Sequence, residues 1–241
     1  MTRESARCSI LLIHGAGGSH LDWPSEIRNL VGYDVYAIDL PGHGRSDYPG
    51  CSTIFDYAEY VRTFIERADD ENVILIGHSM GGAIVQTIGL NPSHKVKGLV
   101  LVASGSRLRV APEILKGILP DFKKTVETIS NLAWSEKASF ELKEFGRNMM
   151  LKNDPLSMHG DFLACNDFSL MDRLDEIQLS TLIISGTEDR LTPAKYSQFM
   201  ADSIPHSCLL TIDGAGHMIM LEEPEKVASS ITKFVEELFP A

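Results

Sequence analysis

The feature that most constrains the fold is an alternation of short apolar runs with longer amphipathic segments along most of the chain. Each run is nearly continuous in β-branched and aliphatic residues, which is typical of parallel strands that helices cover on both faces. We therefore predict an α/β fold with a mostly parallel central sheet and helices on both faces. The predicted strands are Ser9–Ile13, Asp34–Ile38, Val73–Ile76, Gly98–Val102, Thr181–Ser185 and Cys208–Ile212.

Helices are predicted in the segments between these strands and after the last one. Several of them open with proline near the first turn, where the missing backbone N–H has no helical partner to lose. The predicted helices are Pro24–Leu30, Ile54–Ala68, Gly81–Leu90, Pro193–Ala201 and Pro224–Leu238.

One long segment between the fourth and fifth predicted strands interrupts this alternation. It has about 75 residues, many more than a crossover connection needs. Apolar residues within it recur at helical spacing, as at Phe122, Val126, Ile129 and Ala133. We therefore predict a helical lid at residues 104–179, inserted into a core of residues 1–103 and 180–241.

Composition and charge limit the classes of partner. Of the 241 residues, 44% are hydrophobic and 23% are charged, as in ordinary globular domains. The net charge of −11 repels phosphate groups, so we expect neither nucleic acid nor a membrane surface as a partner. No spanning segment or secretory signal is visible, which predicts a cytoplasmic protein. The four cysteines are widely scattered, a spacing that does not predict a zinc site. We expect neither a metal nor a cofactor. The sequence does not indicate an oligomeric state.

The strongest local motif is the run from Gly77 to Gly82, which reads Gly-His-Ser-Met-Gly-Gly between a predicted strand and a predicted helix. A serine on so sharp a turn needs small residues two positions before and after it, because side chains there would collide. The glycines at 77 and 81 meet this requirement. The turn exposes the Ser79 hydroxyl and points a helix N-terminus at a reacting carbonyl. We predict Ser79 as a nucleophile and the Met80 N–H as an oxyanion donor, rather than an incidental serine in a tight turn.

A second glycine-rich loop, His-Gly-Ala-Gly-Gly at residues 14–18, follows the first predicted strand. We predict that the backbone N–H of Ala16 is the second oxyanion donor. A phosphate-binding loop is the competing interpretation, but the spacing matches neither Gly-x-Gly-x-x-Gly nor the P-loop with its lysine. His14 is expected to brace the loop.

Two later loops supply a candidate base and the acid that would orient it. Asp189 follows the fifth predicted strand, at the carboxyl edge where parallel-sheet active sites gather, and Glu188 is the alternative acid. His217 lies on a glycine-rich loop after the last strand, so Ser79, Asp189 and His217 form a predicted catalytic triad. Asp213 is expected to be structural. The remaining singled-out histidines are expected at the surface or in packing: His20, His43, His94, His159 and His206.

Together these motifs resemble the α/β-hydrolase superfamily over nearly the whole chain. The resemblance is carried, in the family's order, by His14-Gly15, the run Asp39 to Ser46, the turn around Ser79, Gly186-Thr187-Glu188-Asp189 and Gly216-His217. The chain is similar to short, lid-bearing members such as carboxylesterases, monoacylglycerol lipases and carbon–carbon bond hydrolases. Serine at position 79 distinguishes it from the haloalkane dehalogenases, whose nucleophile is aspartate.

The resemblance implies hydrolysis of a small-molecule carboxylic ester of small to medium acyl size through an acyl-enzyme, without a cofactor. Carbon–carbon cleavage, amide cleavage and cofactor-free perhydrolysis remain open on the same triad, as does a ligand sensor with vestigial turnover. Apolar residues of the predicted lid and of the base loop are candidates for a substrate pocket. Those singled out are Trp134, Phe145, Met149 and Met218.

Overall fold

The structure is a computed structural model that describes residues 7–47 and 49–240. Its strands are β1 (Ser9–Ile13), β2 (Asp34–Ile38), β3 (Val73–His78), β4 (Val96–Val102), β5 (Thr181–Gly186) and β6 (Ser207–Ile212). They form one parallel sheet in the order β2-β1-β3-β4-β5-β6. All six predicted strands are present, the first two at the predicted bounds and the others one or two residues longer.

Helices occupy the connections between the strands. In chain order they are α1 (Ser25–Arg28), α2 (Ile54–Arg67), α3 (Met80–Gly89), α4 (Pro112–Gly117), α5 (Phe122–Ala133), α6 (Phe140–Met150), α7 (Pro155–Asp167), α8 (Ala194–Ser203), α9 (Ile219–Glu222) and α10 (Pro224–Leu238). Helix α1 is shorter than predicted because Asn29 already leaves the helical conformation, at φ −116° and ψ 34°. No helix of the described residues is long and apolar enough to cross a membrane.

The sheet is covered on both faces, as the sequence predicts. On one face, alternate strand residues such as Leu11 and Leu75 pack against α2, α3 and α8. On the other face, their neighbours Ile10 and Ile74 pack against α1 and α10. Successive side chains of a strand point to opposite faces, so a doubly covered strand needs apolar residues at every position.

The order of the strands reverses between β1 and β3. The chain leaves β1 for one edge strand, β2, and then returns to build β3 on the other side of β1. In open α/β sheets, ligands bind outside the carboxyl ends of the strands at such a point. Residues 14–18 follow β1, and Ser79 follows β3, so both lie at this edge.

Helices α4 to α7 lie in residues 104–179, which we call the insertion, between β4 and β5. They contribute a small apolar cluster of their own, which includes Ile118, Val126 and Met158. The helical character predicted for this segment is therefore present.

The turn from β3 to α3 brings three backbone segments into contact. Ser79 has φ 52° and ψ −113°, an unfavourable conformation for a residue with a side chain. A Cβ atom on Gly81 would overlap the carbonyl oxygen of Ile13, and one on Gly77 would overlap the carbonyl of Gly81. Only glycine at these two positions allows α3 to start so close to β1 and β3.

We expect Gly81→Ala to destabilise the protein by about 3 kcal/mol or more, because the backbone of β1 or α3 must move to relieve the overlap. Urea unfolding of the wild type and the variant measures the loss. Gly89→Ala, at the other end of α3, is the control, because its added methyl would come close only to side-chain atoms, the tip of Leu99 at 2.7 Å and Ile177 at 3.5 Å, and not to backbone. Equal stability of the two variants would contradict the close approach.

Candidate active site

A cavity of about 240 Å³ lies at the carboxyl edge of the sheet. Its wall on the core side comes from the loops after β1, β3, β5 and β6, and its remaining wall comes from the insertion. The core loops contribute Ser79, His217, Thr192 and the glycine-rich residues 15–18. The insertion contributes chiefly apolar side chains, among them Ile114, Ile129, Trp134, Met149, Met150 and Phe162.

The backbone of Ser79 is fixed, whereas its hydroxyl faces the cavity. The Ser79 N–H donates to the Val102 carbonyl at 2.9 Å, and the Ser79 carbonyl accepts from Ser104 Oγ at 2.8 Å. Within the described residues the Ser79 hydroxyl makes no hydrogen bond. Ser79 is half-buried and lines the cavity. Its backbone is held by the two hydrogen bonds, and its hydroxyl is open to a ligand.

Asp189 is a buried carboxylate whose hydrogen-bonding capacity is filled by donors. Its Oδ1 accepts from the N–H groups of Leu191 and Thr192 at 2.9 and 2.8 Å. Its Oδ2 accepts from His217 Nδ1 at 2.8 Å and from Thr192 Oγ1 at 2.7 Å. Burial raises the pKa of this carboxyl, but the adjacent His217 and these hydrogen bonds outweigh that effect and hold the pKa below its usual value. Asp189 is therefore ionised at neutral pH.

His217 is held by contacts on three sides. Its N–H donates to the Ala133 carbonyl at 2.9 Å, and its own carbonyl accepts from His78 Nε2 at 3.0 Å. Because Nδ1 donates to Asp189, the neutral ring presents Nε2 as an acceptor. The imidazole of His217 lines the same cavity as Ser79, without a hydrogen bond between the two side chains in this arrangement. Such contacts are often open in unliganded sites and tighten when a substrate binds.

His78, next to Ser79, is a neutral ring that supports the loop carrying His217. Burial lowers its pKa to about 3, an effect that the nearby His217 reinforces. A neutral ring with its proton on Nε2 can donate to the His217 carbonyl, as observed.

The glycine-rich loop after β1 lies directly beside Ser79. A Cβ atom on Gly15 would lie 3.1 Å from the Cβ of Ser79. His14 braces the loop, because its Nδ1 donates to the Gly15 carbonyl at 2.8 Å and its Nε2 accepts from Leu40 N–H at 3.0 Å. That pattern requires the neutral ring, and burial accordingly lowers the pKa of His14 to about 4.

The two predicted oxyanion donors keep their N–H groups free of acceptors among the described residues. Ala16 lies in the loop that lines the cavity. Met80 is the first residue of α3, where a backbone N–H has no acceptor within the helix. Among the described residues, both N–H groups are therefore available to a ligand.

The alternative acids are engaged elsewhere. Glu188 Oε2 accepts from the backbone N–H of Glu136 at 2.8 Å, so it binds the insertion. Asp213 Oδ1 accepts from Thr187 Oγ1 at 3.1 Å. Within residues 7–47 and 49–240, neither of these carboxylates is hydrogen-bonded to the ring of His217.

Three of the four predicted pocket residues, Trp134, Met149 and Met218, line the cavity. Phe145 does not, and it is 44% exposed. The reason is the rotation of α6, which places Gly146 and Met149 against the cavity. A Cβ on Gly146 would lie 2.5 Å from the Trp134 ring, so the helix face that carries Gly146 is the packed one and Phe145 points away from it.

Sequence reasoning did not identify Thr192 or Arg190. Thr192 Oγ1 contacts both Asp189 and, at 3.2 Å, His217 Nδ1. Its position three residues after an aspartate and just before a proline is typical of a turn closed by the aspartate, which is a usable signal. Arg190 donates to the carbonyls of Asn131 and Trp134 and so joins the end of α5 to the loop that carries Asp189.

Comparisons with known proteins agree with this architecture. The family described as the alpha/beta hydrolase fold matches residues 9–224. A pimeloyl-[acyl-carrier protein] methyl ester esterase of Yersinia enterocolitica is 27% identical, over 95% of this chain and 94% of its own length. The structure of a thermophilic esterase matches with a TM-score of 0.82 at 33% identity, over 95% of this chain and 90% of that one. The esterase EaEST from Exiguobacterium antarcticum matches in fold, with a TM-score of 0.89 at 22% identity, over 95% and 92% of the two chains.

Asp22 is a further carboxyl in the cavity wall that sequence reasoning did not identify. It closes a capping box with Ser19, whose N–H donates to Asp22 Oδ2 at 3.3 Å. Burial raises the pKa of Asp22 to about 7. The ionised form is therefore disfavoured in the folded chain, and the protein loses stability as pH rises from about 4 through about 7.

We expect Asp22→Asn to stabilise the protein more at pH 8.5 than at pH 5.5, with a difference of about 2 kcal/mol, because it removes a charge whose unfavourable effect grows with pH. Urea unfolding at the two pH values measures this difference. Asp202→Asn, at an exposed carboxyl, is the control. A stability change that is the same at both pH values would contradict the shift assigned to Asp22.

Proposed function

The chain belongs to the α/β-hydrolase fold family, and we propose that it is a serine esterase acting on carboxylic esters with small to medium acyl groups. The family match and the esterase relatives support an esterase or a related hydrolase. The observation that carries the finer proposal is the 2.8 Å hydrogen bond from His217 to the buried Asp189, at a cavity that Ser79 also lines. A histidine held in this way can act as a base toward a nearby hydroxyl.

In the first half of the proposed reaction, the Ser79 side chain rotates toward His217 Nε2 as a substrate enters. Ser79 Oγ attacks the ester carbonyl carbon, and His217 takes the hydroxyl proton. The bond between the carbonyl carbon and the alcohol oxygen then breaks, and His217 returns the proton to the departing alcohol. Asp189 stabilises the imidazolium that forms in between, and the acyl group is left on Ser79.

In the second half, water takes the place of the alcohol. His217 removes a proton from the water, whose oxygen attacks the acyl carbon. The carbon–Oγ bond breaks, and the proton passes from His217 to Ser79, which releases the carboxylic acid. In both halves the carbonyl oxygen becomes negatively charged, and the N–H groups of Ala16 and Met80 are proposed to donate to it. One such donor typically contributes about 3 kcal/mol to catalysis.

The cavity supports an apolar acyl group of limited size. At about 240 Å³ it lies below the range usual for sites that hold drug-sized ligands. The insertion supplies most of its apolar wall, so we propose that the insertion acts as the lid that selects the acyl group. The name of the Yersinia relative specifies a methyl ester as its bond, which also favours an ester for this chain.

We expect Ser79→Ala to lower kcat for p-nitrophenyl butyrate by at least about 10⁴-fold, and Asp189→Asn to lower it by about 10⁴-fold. The first variant removes the nucleophile, and the second leaves the His217 tautomer unsupported. Initial rates at pH 7.5 measure both effects.

Glu188→Gln is the matched control, because it neutralises the adjacent carboxyl, which binds the insertion instead of His217. It should keep most of the wild-type rate. A loss as large as that of Asp189→Asn would assign the acid to position 188. Full activity of Ser79→Ala would refute the proposed mechanism.

We expect Met149→Ala to shift the preference for acyl length toward longer chains, because it enlarges the cavity on the insertion side. The ratio of kcat/KM for p-nitrophenyl octanoate to that for the butyrate should rise about tenfold, within the range that pocket changes of one or two methylenes produce. Phe145→Ala, on the same helix but outside the cavity lining, should leave this ratio unchanged. An equal shift in both variants would contradict the proposed pocket.

A further inference from the structure

Two side chains of the insertion hold the backbone of Gly17, the residue after the proposed oxyanion donor. The Gly17 N–H donates to Asp161 Oδ2 at 2.8 Å, and the Gly17 carbonyl accepts from Asn153 Nδ2 at 2.6 Å. Asp161 lies in α7, and Asn153 lies in the turn before it. Both polar groups of one loop residue are therefore bound by a part of the chain more than 130 residues away.

The insertion also packs directly on Gly17. This residue has φ +64°, and a Cβ on it would lie 3.3 Å from the sulfur of Met158 and 3.6 Å from Cγ of Met150. The left-handed backbone of Gly17 thus lies under apolar side chains of the insertion, and its hydrogen bond to Asp161 is buried away from water. Hydrogen bonds shielded in this way hold a loop more firmly than bonds exposed to solvent.

Asp161 is fully buried and is satisfied by three donors. Besides the Gly17 N–H, it accepts from Tyr57 O–H at 2.5 Å and from His43 Nε2 at 2.8 Å. A carboxylate without water keeps its charge only when such donors surround it. The hydrogen bond from Gly17 is therefore charge-assisted and stronger than a bond to a neutral acceptor.

His43 supplies the countercharge. Its Nε2 faces Asp161, and its Nδ1 lies 3.0 Å from the Pro41 carbonyl oxygen, so each ring nitrogen faces an acceptor. Only the protonated imidazole can donate to both. Burial lowers the pKa of His43, but the hydrogen bond to Asp161 and its charge outweigh this and raise the pKa above its usual value. The ion pair joins Asp161 to the buried His43 through the same oxygen that accepts from Gly17.

We propose that Asp161 is a positioning residue for the oxyanion hole and that Asn153 assists it by holding the other side of the Gly17 backbone. This inference rests on the proposed function, because it takes the Ala16 N–H as an oxyanion donor. The peptide before Ala16 is fixed by His14, which donates to the Gly15 carbonyl. The peptide after Ala16 is fixed by Asp161. Because the peptide groups on both sides of Ala16 are held, the Ala16 N–H keeps one direction. The oxyanion hole is therefore complete only when the insertion is packed against this loop.

The test is Asp161→Asn in the full chain, with p-nitrophenyl butyrate as substrate. Asparagine is neutral and has one acceptor oxygen instead of two, so it cannot accept from Tyr57 O–H as well as from Gly17 and His43. We expect kcat to fall by roughly tenfold to a hundredfold, as for a displaced or lost oxyanion donor, with KM changed less than threefold. Asp154→Asn is the matched control, because it removes a carboxylate from the start of the same helix, where asparagine caps equally well.

A second readout separates positioning from a general loss of structure. An alkyl trifluoromethyl ketone forms a charged hemiketal oxygen on the serine and therefore reports on the oxyanion hole. Its inhibition constant should weaken in Asp161→Asn by about the same factor as kcat, while the Asp154→Asn value stays at that of the wild type. A folded Asp161→Asn variant with unchanged kcat and unchanged inhibition constant would overturn the proposal.

If Asp161→Asn does not fold, Asn153→Ala decides the question, because Asn153 is half-buried and its loss removes one hydrogen bond to Gly17. We expect kcat and the inhibition constant to change together by roughly threefold to tenfold. Asn166→Ala is its control, because the side chain of this asparagine of the insertion donates to its neighbour Asp167. No change in Asn153→Ala would overturn the proposal. An inactive wild type would instead refute the proposed function, so the two failures are distinguishable.

Discussion

The site depends on the close approach of three backbones at the start of α3. Gly81 lies against the end of β1, and Gly77 lies against Gly81, with no space for a Cβ atom at either position. Because α3 begins there, Ser79 has its strained backbone conformation and lies next to Gly15 of the preceding loop. Strain of this kind costs about 1–3 kcal/mol and persists only where the surrounding packing imposes it. Here the surrounding packing is the doubly covered sheet, whose strand ends cannot shift without disturbing both apolar layers.

Buried histidines near the site differ in charge because their partners differ. His14 lies between one donor and one acceptor, a pattern that only the neutral ring satisfies. His78 donates to a carbonyl, and its other nitrogen is buried without a partner in the described residues, so it too is neutral. His43 faces two acceptors, one of them the Asp161 carboxylate, and carries the charge. The same side chain thus supports two loops as a neutral ring and balances a buried carboxylate as a cation.

Local patterns were sufficient to predict the strands and the turn at Ser79. Continuous apolar runs mark doubly covered strands, and two glycines around a serine mark a turn with no room for side chains. The partners of Gly17 could not be predicted in this way. Asp161 lies in a helix whose spacing shows its periodicity but not what it faces, and Asn153 lies in the turn before that helix. The prediction of Phe145 as a pocket residue failed for the same reason: helical spacing does not reveal which side of α6 faces the cavity.

The insertion is anchored at both ends of the proposed reaction centre. At one end the Ala133 carbonyl accepts from the N–H groups of His217 and Met218, so the end of α5 is bonded to the base loop. At the other end Asp161 is bonded to the loop of the proposed oxyanion donor. Helix α6, between these anchors, has no buried residue. Because of these two anchors, displacement of α5 would disturb the loop of the proposed base, and displacement of α7 would disturb the loop of the proposed oxyanion donor.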